Sequence, residues 1–147
     1  MNERPHAALA EILGTLHAVE TRLEAALEPM GLSLAKFKTL HTLVSAGEPL
    51  PLRALAEQCA CVRSNITQLV DRLEAEKLVM RTDDPNDRRS IRAELTAEGR
   101  ARYRAGSRAL QAAENEMLGR LPKAQREALL GMLRSLRAEA GVEEPAR

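Results

Sequence analysis

The sequence predicts a mainly α-helical fold that carries one small β-hairpin. Apolar residues recur at spacings of three and four along most of the 147 residues, which is typical of amphipathic helices. One segment near the middle departs from that spacing and places two short strand-like runs on either side of a cluster of turn-forming residues. Phe37 and Tyr103 are the only Phe and Tyr and there is no Trp, so the core is expected to consist of aliphatic side chains between helices. Length and composition favour a single domain over residues 1–147.

The first two helices are predicted by their apolar faces. One helix is expected over Ala8–Met30, with Pro29 and Gly31 ending it and Ser33 placed to cap the next helix. That second helix should end at Gly47. The apolar faces consist of Leu9, Ile12, Leu13, Leu16, Val19, Leu23 and Leu27 in the first helix, and of Leu34, Phe37, Leu40, Leu43 and Val44 in the second.

A pair of shorter helices and a hairpin follow. The Pro-Leu-Pro segment 49–51 is expected to be an extended link, because proline lacks an amide hydrogen and restricts the residue before it. Helical spacing returns over Leu52–Cys59 and again over Val62–Glu76. Residues 78–95 then form a hairpin whose tip, 82–89, is charged.

Two long helices close the chain. Thr96 is expected to cap a helix that runs to about Gly119, and Pro122 to open a last helix. The apolar face of the last helix consists of Leu129, Leu130, Leu133 and Leu136. Long apolar stripes at both ends of a short chain must be covered, so the helices within 1–31 and 100–140 are expected to pair with a second copy.

The order of helix, short turn, helix and hairpin is typical of a winged helix-turn-helix, whose second helix enters the major groove of DNA. Residues 55–74, LAEQCACVRSNITQLVDRLE, resemble the helix-turn-helix of the MarR family of bacterial regulators. The segments DPNDRRS, 84–90, and LTAEG, 95–99, resemble that family's wing and the start of its next helix. The resemblance implies a winged helix-turn-helix DNA-binding lobe at 33–96, flanked by N- and C-terminal dimerisation helices. The tail 141–147 is expected to be disordered.

The second helix of this motif should present a polar face to DNA. A step of 100° per residue turns that face away from the side on which Ile66, Leu69, Val70 and Leu73 are expected to be buried. Asn and Gln pair with adenine, Arg with guanine, and Ser or Thr with base or phosphate. Any solvated surface helix also has such a face, and the hairpin that follows favours DNA contact over that alternative. The predicted contacts are Arg63, Ser64, Asn65, Thr67, Gln68 and Arg72.

The hairpin supplies a second set of candidate DNA contacts. In the resembled family, an Asp-x-Arg places the arginine in the minor groove while the aspartate holds its orientation; here Asp87 and Arg89 match, with Arg88 between them. A narrow minor groove concentrates negative potential and attracts arginine. An exposed salt bridge within the hairpin is the alternative. Arg81 and Arg92 could neutralise nearby phosphates, but the net charge is only +1, so binding should depend on geometry more than on bulk charge.

Three positions depart from the resembled family. Ala60 stands where the turn often has glycine, Val62 where the recognition helix often has a Ser or Asp cap, and Lys77 where that helix usually ends in glycine. Loss of an N-cap costs about 1 kcal/mol, and a non-glycine residue in a left-handed conformation costs a similar amount. These departures predict local strain within the same fold.

The cysteines and histidines give no metal site. Cys59 and Cys61 occupy positions that usually hold small core residues, and a disulfide between residues two apart is geometrically poor. The alternative is a sensor of oxidants or metals, because a modified thiol would push the two helices apart. His6, His17 and His41 form no metal-ligand spacing with each other or with the cysteines, so no metal or cofactor is predicted.

A ligand is implied only by the resemblance. Many members of the family bind small phenolic or other aromatic effectors where the dimerisation helices meet the DNA-binding lobe, which is here around Leu16, Leu40 and Tyr103. His17 and His41 could line such a pocket, and partly buried, hydrogen-bonded histidines explain them equally well. The predicted function is an effector-responsive repressor that binds an inverted repeat of double-stranded DNA as a homodimer. Activation of transcription remains open.

Two other classes of function compete with this interpretation. The near-neutral charge of the reading head would suit a winged-helix protein-interaction module that no longer binds DNA. An enzyme is not predicted, because the sequence has no glycine-rich phosphate loop and no metal-ligand pair on a helix. It also has no apolar run long enough to span a bilayer and no apolar signal core at its start, so a cytoplasmic protein without a membrane partner is expected.

Overall fold

The computed structural model describes residues 6–59 and 63–141. Six α-helices, three β-strands and one 3₁₀ turn are found in this part of the chain. They are α1 Ala7–Leu27, the 3₁₀ turn Glu28–Met30, α2 Leu34–Ala46, β1 Leu50–Pro51, α3 Leu52–Gln58, α4 Arg63–Ala75, β2 Val79–Asp84, β3 Asp87–Leu95, α5 Ala97–Leu118 and α6 Lys123–Glu139. The expected disorder of the tail from residue 142 onward lies outside the described residues.

The helix boundaries follow the capping residues that the sequence predicts. The Ser33 side chain accepts a hydrogen bond from the Lys36 amide at 3.2 Å, and the Thr96 hydroxyl accepts one from the Gly99 amide at 2.9 Å. Gly47 ends α2 in a left-handed conformation, with φ of 69°. Both predicted N-caps and this C-terminal glycine are confirmed.

The first helix ends earlier than the sequence predicts. Its α-helical part stops at Leu27, and residues 28–30 form the 3₁₀ turn. Pro29 explains the change, because its ring and its missing amide hydrogen disrupt a continuing α-helix while a tight terminal turn tolerates it. Gly31 then reverses the chain with φ of 67°.

The hairpin of β2 and β3 belongs to a three-stranded antiparallel sheet in the order β1–β3–β2. The expected extended segment at 49–51 is found, and the structure adds a pairing that the sequence did not predict: Leu50 pairs with Ala93 and Pro51 with Arg92 to make a short edge strand. Proline is accepted there because an edge strand has one side without ladder hydrogen bonds. The sheet is thereby tied to the start of α3.

The core is aliphatic and lies in the part of the chain that holds the helix-turn-helix. Its buried members are Leu27, Leu32, Leu40, Leu43, Leu50, Leu55, Ala56, Ile66, Val70, Leu73, Leu78, Val79 and Ala93. These residues come from α1, α2, α3, α4 and the sheet, apart from Leu32 and Leu78, which lie in connecting segments. The helix that would read DNA is therefore held by the main core rather than by a satellite cluster.

The chain divides into two compact units at Leu110 and Gln111. The first unit holds α1 to α4, the sheet and most of α5, and the second holds the end of α5 and all of α6. Each unit exposes large apolar side chains: Leu9, Ile12, Leu13 and Leu16 on α1, and Leu130, Met132, Leu133 and Leu136 on α6. Among the described helices, none is long and apolar enough to cross a membrane.

Candidate nucleic-acid interface

Helix α4 presents the polar face that the sequence predicts. Ile66, Val70 and Leu73 are fully buried. Away from this buried side, the helix exposes Asn65, Thr67, Gln68, Asp71 and Arg72. The backbone of Arg63 and Ser64 belongs to α4, but their side chains lie outside the described residues. Four of the six predicted contacts of this helix are thus exposed, and their contact with DNA stays a prediction.

The end of α4 is a left-handed turn occupied by lysine. Lys77 has φ of 62°, and it is exposed. Its amide donates to the Glu74 carbonyl at 2.9 Å, and the Leu78 amide donates to the Leu73 carbonyl at 2.8 Å. This hydrogen-bond pattern is the Schellman motif, in which glycine is usual. The predicted departure at Lys77 is confirmed, whereas those at Ala60 and Val62 lie outside the described residues.

The wing consists of β2, β3 and the tip between them. Asp83 pairs with Ile91 and Asp84 pairs with Asp87, so three residues of β3, Arg88 to Ser90, lie in an irregular bulge with no partner residue on β2. A bulge twists a strand and changes the direction of its side chains. Both tip arginines therefore lie in a segment that is displaced from the regular ladder.

Asp87 holds the tip through the backbone. Its carboxylate accepts a hydrogen bond from the Arg89 amide at 3.0 Å, and the Asp84 carboxylate accepts one from the Asn86 amide at 2.9 Å. The guanidinium groups of Arg88 and Arg89 are exposed, and nothing within residues 6–59 and 63–141 pairs with either of them. Asp87 thus fixes the conformation of the tip without neutralising the arginine it supports.

The other two wing arginines have acidic partners within the protein, so neither guanidinium is free of a competing carboxylate. Arg81 bonds to Asp71 and Glu74 of α4. Burial disfavours its charge, but the hydrogen bonds and the attraction of the two carboxylates outweigh that cost and raise the pKa of the guanidinium. Arg92 lies 4.0 Å from the Asp84 carboxylate, and its buried Nε has no hydrogen-bond partner among the residues that the structure describes.

The cysteine hypothesis concerns the turn before α4. Cys59 is half-buried at the end of α3, and its Sγ lies 3.5 Å from the Thr42 hydroxyl of α2. Cys61 lies outside the described residues. The partial burial of Cys59 against α2 fits a small packing residue, and its role as a sensor stays a prediction. No group of three His, Cys, Asp or Glu side chains in the described part of the chain could hold a metal ion.

A second feature is an aromatic cluster between α2 and α5. Phe37 and Tyr103 stack with ring centroids 5.3 Å apart, and His41 lies 5.8 Å from Tyr103. The His41 Nδ1 and the Tyr103 hydroxyl are 3.0 Å apart, within hydrogen-bond distance. Gly106 makes room for the cluster, because a Cβ there would lie 3.0 Å from Phe37. The sequence places Tyr103 and His41 near an effector pocket but does not predict their stacking with Phe37.

The other residues named for that pocket are placed differently. Leu40 is fully buried in the core, while Leu16 and His17 are exposed on α1. An open cleft of about 480 Å³ lies between Pro29 and the first turns of α5, the helix that carries Tyr103. Arg102 is one of the residues that line it. Arg102 also donates to the Met30 carbonyl at 2.8 Å. The lining of this cleft does not include the aromatic cluster.

Comparison with known proteins decides the family. The MarR family model matches residues 32–91. The HTH-type transcriptional repressor Mb2911 of Mycobacterium bovis is 32% identical over 114 residues, which cover 78% of this chain and 81% of that protein. The chain belongs to the MarR family. The family resemblance and the winged helix-turn-helix fold predicted from the sequence are both confirmed.

Two further relatives mark the range of similarity. YkoM of Bacillus subtilis, an HTH-type transcriptional regulator, is 33% identical over 69 residues, which cover 47% of this chain and 44% of that protein. The chain therefore aligns with less than half of YkoM. The structure of CouR from Rhodococcus jostii RHA1, bound to p-coumaroyl-CoA, is 28% identical with a TM-score of 0.71, and the match covers 91% of this chain and 92% of CouR. Mb2911 and YkoM are named as regulators of transcription, and DNA binding is the function that this relationship supports.

Proposed function

We propose that this protein is a transcriptional repressor that binds an inverted repeat of double-stranded DNA as a homodimer and releases it when a small aromatic effector binds. The observation that carries the proposal is the joint exposure of the polar face of α4 and the two unpaired arginines of the wing tip, in a chain of the MarR family. Both features lie on elements fixed by the core, which is what a preorganised reading surface requires.

Helix α4 supplies the base-reading contacts of the proposal. Asn65 and Gln68 carry amides that can pair with adenine in the major groove, and Arg72 can reach guanine or phosphate. Arg63, Ser64 and Thr67 complete the proposed set at the start of the helix. Their position near the N-terminus of α4 suits DNA contact, because that end of a recognition helix approaches the base edges.

The wing supplies the minor-groove contact. Arg89 is proposed to enter the groove, Arg88 to contact phosphate, and Asp87 to hold the tip in shape. The support is the bulge, which frees both arginines from the ladder, and the amide bond accepted by Asp87. An arginine in a narrow minor groove responds to the shape of the DNA more than to base identity.

Dimerisation is proposed from the apolar side chains left exposed on α1 and α6. Four large apolar residues are exposed on each of these helices. Monomeric proteins rarely leave such contiguous stripes uncovered, and a second copy of the chain would cover them. Two copies of α4 would then read two half-sites about one turn of DNA apart.

The effector part of the proposal rests on the cluster of Phe37, His41 and Tyr103. A stacked aromatic pair beside a hydrogen-bonded histidine and hydroxyl offers both a surface for a planar ring and polar groups for a phenol or carboxylate. CouR, a relative of similar fold, binds p-coumaroyl-CoA, which contains a phenol. Binding would shift the balance between conformations of the DNA-binding lobe.

The DNA-binding proposal is tested by fluorescence anisotropy on a labelled duplex from the intergenic DNA upstream of the protein's own gene, across a salt series. Arg89→Ala should weaken binding to all sequences and reduce the salt dependence by about one unit, whereas Gln68→Ala should weaken binding mainly to the preferred sequence. Arg104→Ala on α5 and Gln125→Ala on α6 are matched controls, since both side chains are exposed outside α4 and the wing. An intact dimer, free of carried-over effector, that binds this DNA no better than a random duplex would favour an interaction module instead.

The effector proposal has a spectroscopic test because Tyr103 is the only tyrosine and there is no tryptophan. Titration with p-coumaroyl-CoA should quench the Tyr103 emission and release bound DNA over the same concentration range, while coenzyme A alone should do neither. Phe37→Ala should weaken both responses together. Quenching without release would leave the cluster as a binding site that does not regulate DNA binding.

We also propose that the protein has no enzymatic activity and that the described cysteine, Cys59, packs rather than senses. The relatives are named as regulators of transcription. Replacement of Cys59 by alanine should leave the response of the DNA complex to peroxide unchanged. A response that disappears in this variant would support the sensor hypothesis.

A further inference from the structure

Arg81 joins the recognition helix to the wing through three hydrogen bonds. Its backbone amide donates to one carboxylate oxygen of Glu74 at 3.2 Å. One terminal nitrogen of its guanidinium bonds to the other oxygen of Glu74, and the second terminal nitrogen bonds to Asp71. Arg81 belongs to β2, whereas both acids belong to the last two turns of α4.

The surroundings make this contact stronger than an ordinary surface ion pair. The Arg81 side chain is 23% exposed, against 40% for Glu74 and 59% for Asp71. Exposed single pairs contribute little, but a partly buried arginine that bonds two carboxylates at once gains from charge-assisted hydrogen bonds with fixed directions. The guanidinium is charged at any ordinary pH, and despite its burial its hydrogen bonds to Asp71 and Glu74 raise its pKa further. Its charge also lies near the C-terminal end of α4, where the helix dipole favours a cation.

The contact spans the junction between the helix and the wing. Between α4 and β2 the chain runs through Glu76, Lys77 and Leu78, and Lys77 holds a left-handed conformation that is unfavourable for a lysine. The hydrogen bonds of the Schellman motif and the fully buried Leu78 hold this turn at the base of the wing, and the Arg81 side chain adds a direct link from β2 to α4. Arg81 bridges the junction at sequence separations of 7 and 10 residues.

We propose that Arg81 is a positioning residue: it fixes the angle between the recognition helix and the wing so that both reach their grooves at once, and it does not itself contact DNA. This inference rests on the proposed DNA-binding function and adds a determinant of specificity to it. Asp71 and Glu74 share the role, since each holds one end of the guanidinium. Two acids on a DNA-reading helix would otherwise repel phosphate.

The two possible roles of Arg81, positioning the wing and contacting phosphate, predict opposite changes in DNA affinity for the substitution Glu74→Gln. If Arg81 contacted phosphate, Glu74→Gln would remove a competing negative charge and would tighten DNA binding or leave it unchanged. If Arg81 positions the wing, the same substitution weakens binding although the protein becomes more positive. Glutamine keeps an oxygen that can accept from the Arg81 amide, so the change is confined to the charged contact.

The experiment measures dissociation constants by anisotropy for the operator duplex and for a random duplex, with the active fraction set by stoichiometric titration. Glu74→Gln and Arg81→Gln should each weaken operator binding about fivefold or more, the scale of one charge-assisted contact, and the double variant should be no weaker than Arg81→Gln alone. Binding to the random duplex and the salt dependence should stay near the wild-type values. Arg81→Lys should recover part of the loss, because lysine keeps the charge but lacks the planar fork that serves both acids.

Glu57→Gln is the matched control. Glu57 lies on α3 in the same lobe and pairs with Arg53 on its own helix, at Nε to Oε1 of 3.3 Å, so its loss removes one negative charge and no link to the wing. It should bind the operator as tightly as the wild type or more tightly. The proposal is overturned if Arg81→Gln lowers the salt dependence by about one unit, if Glu74→Gln binds as tightly as Glu57→Gln, or if the two losses add.

If the wild type binds no DNA specifically, the proposed function is overturned. The positioning role of Arg81 is then tested on the free protein by hydrogen exchange. Arg81→Gln should accelerate exchange of the amides in β2 and in the last turn of α4, compared with Arg53→Gln as control. Unchanged exchange at these amides would overturn the positioning role as well.

Discussion

Gly99 occupies a position where no side chain fits. A Cβ there would lie 1.9 Å from the Leu78 carbonyl oxygen and 2.9 Å from a methyl of Leu95. That oxygen cannot move away freely, because it accepts bonds from the Thr96 amide at 3.1 Å and from the Thr96 hydroxyl at 3.0 Å. The LTAEG segment therefore has a physical meaning: threonine caps the helix and glycine lets α5 approach the start of the wing.

Gly99→Ala should lower the free energy of unfolding by about 2 kcal/mol or more, since relief of the overlap must separate α5 from Leu78. The measurement is urea unfolding followed by circular dichroism. Gly131→Ala is the matched control: nothing lies within 4 Å of a Cβ there, and alanine in a helix interior gains roughly 0.5–1 kcal/mol over glycine. Equal effects of the two substitutions would contradict the packing argument.

Lys77 shows the opposite relation, a side chain where glycine would suit the backbone better. At φ of 62° a residue with a side chain is strained, whereas glycine is not, so Lys77→Gly should raise the free energy of unfolding by up to about 1 kcal/mol. The greater conformational entropy of glycine in the unfolded chain reduces this gain. Thermal unfolding should show a gain of a few degrees. Lys77→Ala removes the same charge and keeps the strain, so a gain of equal size in that variant would refute the explanation.

Single residues were predictable where the signal was local. The caps at Ser33 and Thr96 follow from neighbours within five positions, and the structure has them as expected. The left-handed Lys77 follows from the family resemblance, which places glycine there, and it is also found. The pairing of Arg81 with Asp71 and Glu74 was not predicted, because nothing in a list of charges says which of several acids an arginine meets after the chain has turned. The same holds for the stacking of Phe37 on Tyr103, which are 66 positions apart.

At the level of elements, periodicity predicted the long helices well and short strands poorly. Helices α1, α2, α4, α5 and α6 each offer several turns of pattern, so their bounds differ from expectation by at most a few residues. Strand β1 has two residues, one of them proline, and so has no period to detect. Its existence depends on pairing with β3, more than 40 positions later, which only the folded chain reveals.

At the wing tip, substitutions of Asp87 can distinguish the effect of backbone shape on DNA binding from the effect of charge. Asp87→Ala removes the acceptor for the Arg89 amide and should weaken DNA binding several-fold, although it removes a negative charge. Asp87→Asn keeps an oxygen acceptor and should bind as tightly as the wild type or more tightly. Anisotropy at one salt concentration distinguishes them. If both variants bind more tightly, Asp87 acts only as a repulsive charge and the tip does not depend on it for its shape.

At the level of the whole molecule, the apolar stripes on α1 and α6 stay exposed, because the described part of one chain does not cover them. Leu13 is 57% exposed although the sequence pattern places it on the apolar face of its helix, and the same is true of Leu133 at 50%. The sequence predicted the apolar faces correctly, while the structure of one chain does not contain the surface that would cover them. The proposed dimer supplies that surface.

Leu13→Glu should therefore convert the dimer to a monomer, because a carboxylate cannot be buried in an apolar interface without a partner. Sedimentation at micromolar concentration reports the mass directly, and the wild-type melting temperature should rise with protein concentration while that of the variant should not. Met80→Glu is the matched control, since Met80 is 48% exposed on the wing rather than on α1 or α6, and its replacement adds the same charge and should leave the protein dimeric. Operator binding should fall steeply for Leu13→Glu as well, because one lobe reads one half-site and loses the gain from binding both together. A Leu13→Glu variant that remains dimeric would place the subunit contact on α6 alone, and one that binds the operator as a monomer with wild-type affinity would refute the two-site arrangement.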